Sequence, residues 1–351
     1  NFKLGGVDLK NLLDLSYEEL ITEITNLGLE RYRADQILDW VFNKKVNNFD
    51  EMTNLSKQHR ALLKEHFSIP FLKLLDKKVS RIDGTTKFLW ELEDGNTIES
   101  VMLFHPDRIT ACISTQVGCP VKCIFCATGM SGFVRNLTTG EIVAQILSME
   151  REEKKKIGNV VYMGMGEPLL NYENTIKSIR ILNHKKMGNI GIRRITISTV
   201  GIPDRIIQLA EEGLDVKLAL SLHAPTNFKR DQLVPLNKKY SIEEILNAVK
   251  IYQRKTGNRV TIEYVLIRGI NDEISDAKKL AEILKNMKIF VNLIPVNPTA
   301  EDLKKPSRER LLAFKRILLE NGIEAEIRRE KGSDIEAACG QLRLKRIKST
   351  S

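Results

Sequence analysis

Three cysteines lie within eight consecutive residues, in the run Cys119-Pro-Val-Lys-Cys123-Ile-Phe-Cys126. Thiolates this close together bind soft metal centres. Structural zinc usually takes four protein ligands, so a zinc site here needs a distant cysteine or histidine to complete it. A [4Fe–4S] cluster held by three thiolates instead leaves one iron open, and an open iron can bind a substrate and pass it an electron. The spacing favours the open cluster, with the zinc site as the alternative.

Charge and cysteine usage narrow the class of protein. The chain has 351 residues and a formal net charge of +10, from 55 basic and 45 acidic side chains. This excess suits a polyanionic partner such as RNA, because lysine and arginine release counterions from phosphates, although a solvated basic surface has the same composition.

Five cysteines, three of them clustered, do not form a secreted disulfide framework. No apolar stretch approaches the ~20 residues of a membrane span, and no charged-then-apolar leader is visible. We therefore expect a cytoplasmic protein with no membrane partner.

The first 106 residues predict two small units. Residues 1–70 form an N-terminal small helical domain, with one helix opening at the capping box of Ser16 and two more over Tyr32–Asn43 and Ser56–Phe67. Residues 71–106 form a β-meander extension, because Asp-Gly turns separate three apolar runs. The predicted meander strands are Lys77–Ile82, Thr86–Leu92 and Thr97–Phe104.

Residues 107–330 repeat the order strand, loop, helix. The predicted strands are short and apolar, as strands buried on both faces should be: Arg108–Thr115, Asn159–Met163, Arg194–Ser198, Val216–Ser221, Val260–Leu266 and Phe290–Pro295. The helices begin near Thr138, Tyr172, Pro203, Ser241, Ser275 and Ser307. These six βα units predict an α/β fold, a partial (βα)6 barrel of the TIM type. A seventh extended piece, Glu324–Arg329, leads to a C-terminal loop and basic tail in residues 331–351.

Small or polar residues follow most of the predicted barrel strands at their C-terminal ends, where barrels of this type place their chemistry. The cysteine run follows the first strand. The others are Gly166 and Glu167 after the second strand, Ser198 at the end of the third, Ser221, Leu222 and His223 at the fourth, and Asn297 after the sixth. Each alone also fits a glycine turn, a helix cap or a histidine satisfied by backbone. Together they predict a ring of donors and acceptors around the metal site.

Several ordered motifs extend over nearly the whole chain. They are Tyr32-Arg33-Ala34-Asp35-Gln36, the cysteine run, Met163-Gly164-Met165-Gly166-Glu167-Pro168, Ser221-Leu222-His223-Ala224-Pro225, Thr261-Ile262-Glu263-Tyr264 and Asp334-Ile335-Glu336-Ala337-Ala338-Cys339-Gly340-Gln341-Leu342. With these motifs the chain resembles the radical S-adenosylmethionine (SAM) adenine-C2 RNA methyltransferases. That family modifies an adenine in the peptidyl transferase centre of 23S rRNA and the adenine beside the anticodon of certain tRNAs. The resemblance implies a radical SAM barrel and both RNA substrates.

The resemblance also implies the residues that hold a [4Fe–4S] cluster and SAM. Cys119, Cys123 and Cys126 would ligate the cluster, whose open iron would chelate the methionine part of SAM. Gly166 and Glu167 would meet the methionine ammonium group, a carboxylate for a cation. The other implied SAM contacts are Phe125 near the adenine and Ser198, Ser221, Leu222, His223 and Asn297 around the rest of the molecule.

Two further cysteines matter because carbon 2 of adenine is electron-poor and should not attack the methyl group of SAM directly. A thiolate, in contrast, is nucleophilic enough to accept that methyl group. In the family, the cysteine matching Cys339 takes the methyl from one SAM, and a second SAM gives a 5′-deoxyadenosyl radical that activates it for addition to carbon 2. Cys112 would release the RNA by forming a disulfide with Cys339, and Glu99 would accept a proton. Each of these residues also has a non-functional interpretation. Cys112 can be read as an ordinary strand cysteine and Glu99 as a solvated strand residue, while Cys339 is a thiol in a Gly-flanked loop that we expect to be mobile.

The implied partners are 23S rRNA, tRNA and an electron donor such as flavodoxin or ferredoxin, with the protein acting as a monomer. Phosphate contacts are expected from Arg31, Arg33, Lys44 and Lys45 in the helical domain and from the tail at 343–348.

Two alternatives stay open. Carbon-8 adenine 23S rRNA methyltransferases, which confer antibiotic resistance, share the cysteines and the barrel, but an alanine tends to follow their Gly-Glu pair where this chain has Pro168. A zinc-stabilised RNA-binding protein without catalysis is the other alternative.

Overall fold

A computed structural model describes residues 3–4, 7–297 and 303–342 of the chain. The N-terminal region contains short strand pairs and three helices. They are β1 (Lys3–Leu4) with β2 (Val7–Asp8), β3 (Lys10–Asn11) with β4 (Phe67–Ser68), α1 (Tyr17–Asn26), α2 (Tyr32–Leu38) and α3 (Lys57–His66). The capping box predicted at Ser16 is confirmed, since Glu19 Oε2 accepts from the backbone N–H of Ser16 at 2.7 Å. Helix α2 is shorter than predicted because the following residues, Asp39–Asn43, form a wider π-helical turn.

The meander is the antiparallel part of one large sheet. Its strands are β5 (Lys73–Val79), β6 (Thr86–Glu91) and β7 (Thr97–Phe104), and the next strand is β8 (Ile109–Cys112). The predicted end of the first strand at Ile82 is wrong: Ser80 Oγ accepts from the backbone N–H of Ile82 and Asp83, which starts the turn earlier. Val101 pairs with Cys112 across β7 and β8. The meander and the barrel therefore share their sheet.

The rest of the chain alternates strands and helices. The strands are β9 (Gln116–Gly118), β10 (Phe133–Asn136), β11 (Asn159–Tyr162), β12 (Ile195–Thr199), β13 (Lys217–Ser221), β14 (Val260–Leu266), β15 (Ile289–Pro295) and β16 (Ala325–Ile327). The helices are α4 (Ala127–Met130), α5 (Thr139–Glu153), α6 (Tyr172–Asn183), α7 (Pro203–Glu211), α8 (Asn227–Leu233), α9 (Ile242–Thr256), α10 (Ile274–Leu284) and α11 (Arg308–Glu320). Nothing in the described ranges has both the length and the apolar character of a membrane-spanning helix.

Ten strands form the sheet, in the spatial order β16-β15-β14-β13-β12-β11-β8-β7-β6-β5. Within the run from β16 to β8, each pair of neighbouring strands is parallel. The predicted α/β partial barrel is confirmed, and the extended piece before the C-terminal loop joins it as a seventh parallel strand. All the C-terminal ends of these strands consequently lie at one edge of the sheet.

A hairpin that the sequence pattern did not indicate holds the cysteine run. The strand predicted over Arg108–Thr115 stops at Cys112, because Ser114 turns to donate to the carbonyl of Glu99 at 2.6 Å. The antiparallel pair β9–β10 follows. Gly118 is required there, since its φ is +76° and a Cβ would lie 2.0 Å from the carbonyl oxygen of Gly132.

The N-terminal helices pack against α5 and α6 through ion pairs. Lys45 Nζ lies 2.5 Å from Glu150 Oε2, and the two side chains are only 14% and 3% exposed. The prediction of a phosphate contact at Lys45 is therefore wrong. Arg31 and Lys44 are 68% and 46% exposed and can reach a partner. The basic tail at 343–348 lies outside the described residues.

Candidate active site

One cavity opens at the C-terminal ends of the parallel strands. Predicted site residues that line it are Cys119, Cys123, Phe125, Cys126, Gly166, Glu167, Ser198, Ser221, His223, Asn297 and Cys339. Leu222 is fully buried beside this cavity, with its N–H donated to the carbonyl of Glu263 at 3.1 Å. Predicted site residues from six segments of the chain are thus brought together around the same space.

The loop that carries the three cysteines is fixed by its backbone. The N–H of Cys119 donates to the carbonyl of Gly132 at 2.8 Å, and the N–H of Cys126 donates to that of Cys123 at 3.2 Å. Lys122 adopts a left-handed φ of 60° between them. Burial raises the pKa of the Cys119 thiol to about 12 and that of Cys123 well above its ordinary value. These thiols must therefore lose protons when a metal centre binds, which a cationic iron centre favours.

The donor set fits a [4Fe–4S] cluster. Three thiols face one cavity. Across residues 7–297 and 303–342, no three His, Cys, Asp or Glu side chains converge closely enough to hold one metal ion. Thiolates of a [4Fe–4S] cube bind different irons and need not converge on a point, so this arrangement suits a cluster with one open corner.

Glu167 is a buried carboxylate held in place by backbone. Its Oε1 accepts from the N–H of Leu169 at 3.0 Å and its Oε2 from the N–H of Val200 at 2.9 Å. Burial raises the pKa of Glu167, and these hydrogen bonds act against the rise. Gly166 comes just before it with a φ of +102°, and a Cβ there would lie 2.6 Å from Cβ of Gln116. A cation in the cavity would find an oriented carboxylate.

His223 is neutral and has a defined tautomer. Its Nδ1 accepts from the N–H of Val265 at 3.1 Å, so Nε2 carries the proton. Burial lowers the pKa of His223 to about 3. The ring packs edge-on to Phe125 with centroids 4.8 Å apart. The hydroxyl oxygens of Ser198 and Ser221 lie 3.4 Å apart on neighbouring strands. The cavity wall therefore offers neutral donors next to the Glu167 carboxylate.

A second cavity of about 570 Å³ adjoins the first and contains Cys112 in its wall. The two cavities share the lining residues Met163, Ile294, Asn297, Arg328, Cys339 and Gly340. Cys339 therefore borders both spaces, and Cys112 borders the second. Burial raises the pKa of Cys112 to about 12, the charge of Cys339 adds to the rise, and the guanidinium of Arg328 opposes it.

The loop of Cys339 is tied to the barrel and to helix α4 by the carbonyls of Cys339 and of the residues that follow it. Asn297 Nδ2 donates to the carbonyl of Cys339 at 3.1 Å. The N–H of Ala127 donates to the carbonyl of Gly340 at 2.7 Å, and Thr128 Oγ1 donates to that of Leu342 at 2.6 Å. The loop was predicted to be mobile; its hydrogen bonds instead anchor it to the helix that follows the cysteine run.

Glu99 is fully buried in β7 and does not belong to the lining residues of either cavity. It lies 3.5 Å from the buried Lys87, whose amino group also donates to the carbonyl of Glu336 at 2.9 Å. Alternation along the strand puts Glu99 on the same face as Val101 and Leu103, which line the second cavity. Glu99 thus lies next to that cavity and below the Cys339 loop. Its role stays a prediction.

Arg328 is a site residue that the sequence reasoning missed. It lines both cavities, and its guanidinium lies 4.0 Å from Glu263 Oε2. The nearby Cys339 is the main cause of a raised pKa of Arg328, with Glu263 and Cys112 contributing. It follows the last parallel strand, so the rule that located the other residues could have found it.

The barrel, the three cysteines and the cavity at the strand ends define the radical SAM class. The sequence model of the "Radical SAM superfamily" matches residues 113–282, and a model described as "Ribosomal RNA large subunit methyltransferase N-terminal domain" matches residues 10–69. A crystal structure of a radical SAM methyltransferase from Sphaerobacter thermophilus has a TM-score of 0.92 and 46% identity, over 96% of this chain and 100% of that one.

Curated relatives identify the particular family. A "Probable dual-specificity RNA methyltransferase RlmN" of Thermotoga sp. (strain RQ2) is 98% identical over 98% of this chain and 100% of its own length. A protein of the same name from Thermosipho melanesiensis is 65% identical over 97% of this chain and 100% of its own length. The chain belongs to the RlmN family of dual-specificity radical SAM RNA methyltransferases. Membership implies a [4Fe–4S] cluster and SAM, so the zinc alternative is set aside.

Proposed function

We propose that this chain methylates carbon 2 of an adenine in 23S rRNA, at the peptidyl transferase centre, and of the adenine next to the anticodon in tRNA. The observation that carries the proposal is the position of Cys339, which borders both cavities and shares the second with Cys112. A methyl-carrying thiol needs access to a methyl donor on one side and to RNA on the other. The motifs shared with the adenine-C2 family support the choice of carbon 2.

The first cavity is the proposed site of the cluster and SAM. Cys119, Cys123 and Cys126 would hold the [4Fe–4S] cluster, which when bound supplies the electron that cleaves SAM to a 5′-deoxyadenosyl radical. Glu167 would bind the SAM ammonium group, because two backbone N–H groups already orient its carboxylate. Gly166 leaves space for the methionine part.

The rest of SAM would meet neutral groups of the same wall. His223 would donate from Nε2, Ser198 and Ser221 from their hydroxyls, and Phe125 and Asn297 would contact the adenine and ribose. Leu222 would contribute through its backbone, since its side chain is buried beside the cavity.

Cys339 is the proposed methyl carrier, and Cys112 the residue that releases the RNA. One SAM gives its methyl to the Cys339 sulfur and a second serves as the radical source, so two SAM are used per turnover. Once the methylene carbon has joined carbon 2, the adduct would lose the carbon-2 proton to Glu99 and its unpaired electron to the oxidised cluster, which restores the aromatic ring. The Cys112 thiolate would then attack the Cys339 sulfur. The sulfur–carbon bond breaks, its electron pair stays on the carbon, and a proton completes the methyl group. The two cysteines are left as a disulfide, which a thiol reductant must reopen.

The second cavity would receive the target adenine. Its volume of about 570 Å³ is in the range of small-molecule pockets. The base must leave its stack to enter, as enzymes that modify bases require. Glu99, next to this cavity, would take the proton lost from carbon 2. Arg328 favours the thiolate form of Cys112 at the moment of attack, because its charge opposes the raised pKa of that thiol.

The test is anaerobic incubation of the protein with SAM, a reductant and either 23S rRNA or tRNA, followed by mass spectrometry of the digested nucleosides. We expect 2-methyladenosine from both RNAs, and none from Cys339→Ala at unchanged iron content. Formation of 8-methyladenosine would favour the carbon-8 alternative. Methylation retained by Cys339→Ala would contradict the relay through this thiol.

The electron donor and the assembly state can be tested on the same preparation. Reduced flavodoxin or ferredoxin should replace the chemical reductant, and light scattering should give the mass of a monomer. Failure of both donors, or a dimer mass, would contradict these parts of the proposal.

A further inference from the structure

Arg230, on helix α8, is a buried arginine below the first cavity. Only 1% of the residue is exposed, and it is not one of the residues that line the cavity. Burial lowers the pKa of Arg230 to about 10, so it remains a cation at neutral pH. Taking a guanidinium out of water is unfavourable unless its donors and its charge are both compensated. The groups around Arg230 show what compensates its hydrogen-bond donors and what compensates its charge.

Most of the hydrogen bonds that Arg230 donates go to backbone carbonyls at the ends of two strands. Nε donates to the carbonyl of Leu222 at 3.0 Å, and Nη2 donates to the carbonyls of Val200 and Ser221. Nη1 donates to Asn237 Oδ1 at 2.9 Å. The side chain thus joins the chain after β12 to the end of β13. These are the ends that present Ser198, Ser221 and His223 to the cavity.

The same contacts reach Glu167 through one peptide unit. The N–H of Val200 donates to Glu167 Oε2 at 2.9 Å, while the carbonyl of Val200 accepts from Arg230. Helix α8 also reaches the cysteine run, because the N–H of Ile124 donates to the carbonyl of Leu233 at 3.2 Å. Arg230 is therefore connected to both the predicted SAM contacts and the cysteine loop.

The charge of Arg230 has no direct counterion within the part of the chain that the structure covers. Asp231 is the nearest linked carboxylate, but it bonds to Asn237 Nδ2 at 2.7 Å, so a neutral amide separates it from the guanidinium. Burial lowers the pKa of Arg230, and Cys123, Asp231 and Glu167 oppose that change, Cys123 most strongly. A cation without a paired carboxylate thus lies on the helix whose last residue, Leu233, accepts a hydrogen bond from the backbone next to Cys123.

We propose that Arg230 is a positioning residue with two effects: its guanidinium holds the ends of β12 and β13 in the geometry that binds SAM, and its charge is the internal counterion of the cluster. Three thiolates make the cluster a net anion, and reduction adds a negative charge. A fixed cation nearby favours the reduced form because the attraction grows with that charge. This inference rests on the proposed ligation of the cluster by the three cysteines.

The test compares four chains: wild type, Arg230→Lys, Arg230→Gln and the control Arg193→Gln, which removes a charge from a side chain that is 84% exposed. The midpoint potential of the anaerobically reconstituted protein is measured by spectroscopic redox titration without SAM. We expect Arg230→Gln to lower the equilibrium constant for one-electron reduction about tenfold, or about 59 mV. Arg230→Lys, which keeps the charge, and Arg193→Gln should stay within threefold of wild type.

The positioning effect has its own readouts. Lysine cannot reach all the carbonyls that the guanidinium fork binds, so both Arg230 variants should weaken SAM binding at least tenfold. In the metal-free proteins they should also speed amide exchange around Val200 and Leu222 at least tenfold. Arg193→Gln should change neither quantity.

Each outcome decides one part of the inference. An unchanged potential in Arg230→Gln, or a tenfold fall in Arg230→Lys, would overturn the counterion effect. Loss of iron uptake in Arg230→Gln with full uptake in Arg230→Lys would support the need for a cation at this position, whereas loss of iron uptake in both variants would overturn the counterion effect. Unchanged SAM binding and unchanged amide exchange in Arg230→Lys would overturn the positioning effect. Wild-type protein without four irons, or Cys123→Ala with full iron content, would instead contradict the ligand assignment.

Discussion

Burial is the largest cause of the shifted pKa values of several side chains around the two cavities, although for Arg328 the charge of Cys339 is the larger cause. Burial raises the pKa of Cys112 and Cys119 to about 12, raises that of Glu167 and lowers that of His223 to about 3. A buried group favours its neutral form until a partner charge compensates it. The charges of this site would consequently depend on what binds: iron bound at the cysteines would displace the thiol protons, and a bound ammonium group would stabilise the Glu167 carboxylate.

The neutral ring of His223 should make stability depend on pH. The folded protein binds a proton at this ring only near pH 3, whereas the unfolded chain binds one below pH 6.5. Stability from the neutral ring is therefore full above pH 6.5 and lost as the pH falls below that value. At about pH 5 the loss amounts to about 2 kcal/mol.

This dependence is measured by denaturant unfolding of the metal-free protein at about pH 7.5 and about pH 5. Wild type should lose about 2 kcal/mol more than His223→Asn, which keeps a residue tolerant of the left-handed φ of 61°. The control His66→Asn, at an exposed position, should lose as much stability between the two pH values as wild type does. An equal loss in wild type and His223→Asn would contradict the assignment.

The proposed role of Cys112 can be tested by trapping an intermediate. Without this thiol, the proposed bond between Cys339 and the RNA would have no partner to break it. Cys112→Ala incubated anaerobically with SAM, a reductant and RNA should therefore give an RNA–protein adduct on a denaturing gel. The double variant Cys112→Ala with Cys339→Ala should give none. Free RNA alone from Cys112→Ala would count against the resolving role.

Helices and strands could be predicted from the sequence where residues close together in the chain decide the structure. Capping boxes at Ser16, Thr138 and Ser241 begin helices α1, α5 and α9 as predicted. The hairpin β9–β10 was missed because its strands have three and four residues, and its pairing depends on a contact between chain segments on either side of the cysteine run. The contact of Arg230 with Val200 and that of Arg328 with Glu263 likewise join residues far apart in sequence, which a single sequence does not reveal.

The hairpin predicts a difference between two glycines with nearly the same backbone. Gly118 and Gly95 have φ of +76° and +77°, but a Cβ at Gly118 would meet the carbonyl of Gly132 and one at Gly95 would meet nothing within 4 Å. Gly95→Ala should cost about 1–2 kcal/mol from backbone strain alone. Gly118→Ala should cost more and lower iron incorporation, because the hairpin positions Cys119.

Urea unfolding and iron content of the reconstituted proteins measure this difference. Full iron in Gly118→Ala, with a stability equal to that of Gly95→Ala, would show that the hairpin does not control the cysteine loop.

On the scale of the whole molecule, the helical N-terminal region is attached to the barrel by charged contacts. Besides Lys45 and Glu150, Lys177 lies 2.7 Å from Glu19 and Lys186 lies 3.1 Å from Asp35. Exposed ion pairs contribute little, whereas a buried pair is costly to break from one side. Apolar side chains of both regions also belong to one hydrophobic core, so the buried pair should contribute most among the charged contacts alone.

Two neighbouring lysines allow a matched test of the buried pair. Lys45→Met leaves Glu150 buried without its closest cation and should reduce the free energy of unfolding by about 3 kcal/mol. Lys44→Met removes the same charge at an exposed position and should change it by less than about 0.5 kcal/mol. Denaturant unfolding measures both. Equal effects of the two substitutions would show that the pair does not carry the attachment.

Because Cys339 lines both cavities, rotation of its side chain would turn the sulfur from one space towards the other. A change of side-chain rotamer is a smaller motion than the opening of a lid or the swing of a hinge. If Cys339 carries the methyl group as proposed, a one-carbon group would cross between the two spaces without any rearrangement of the barrel.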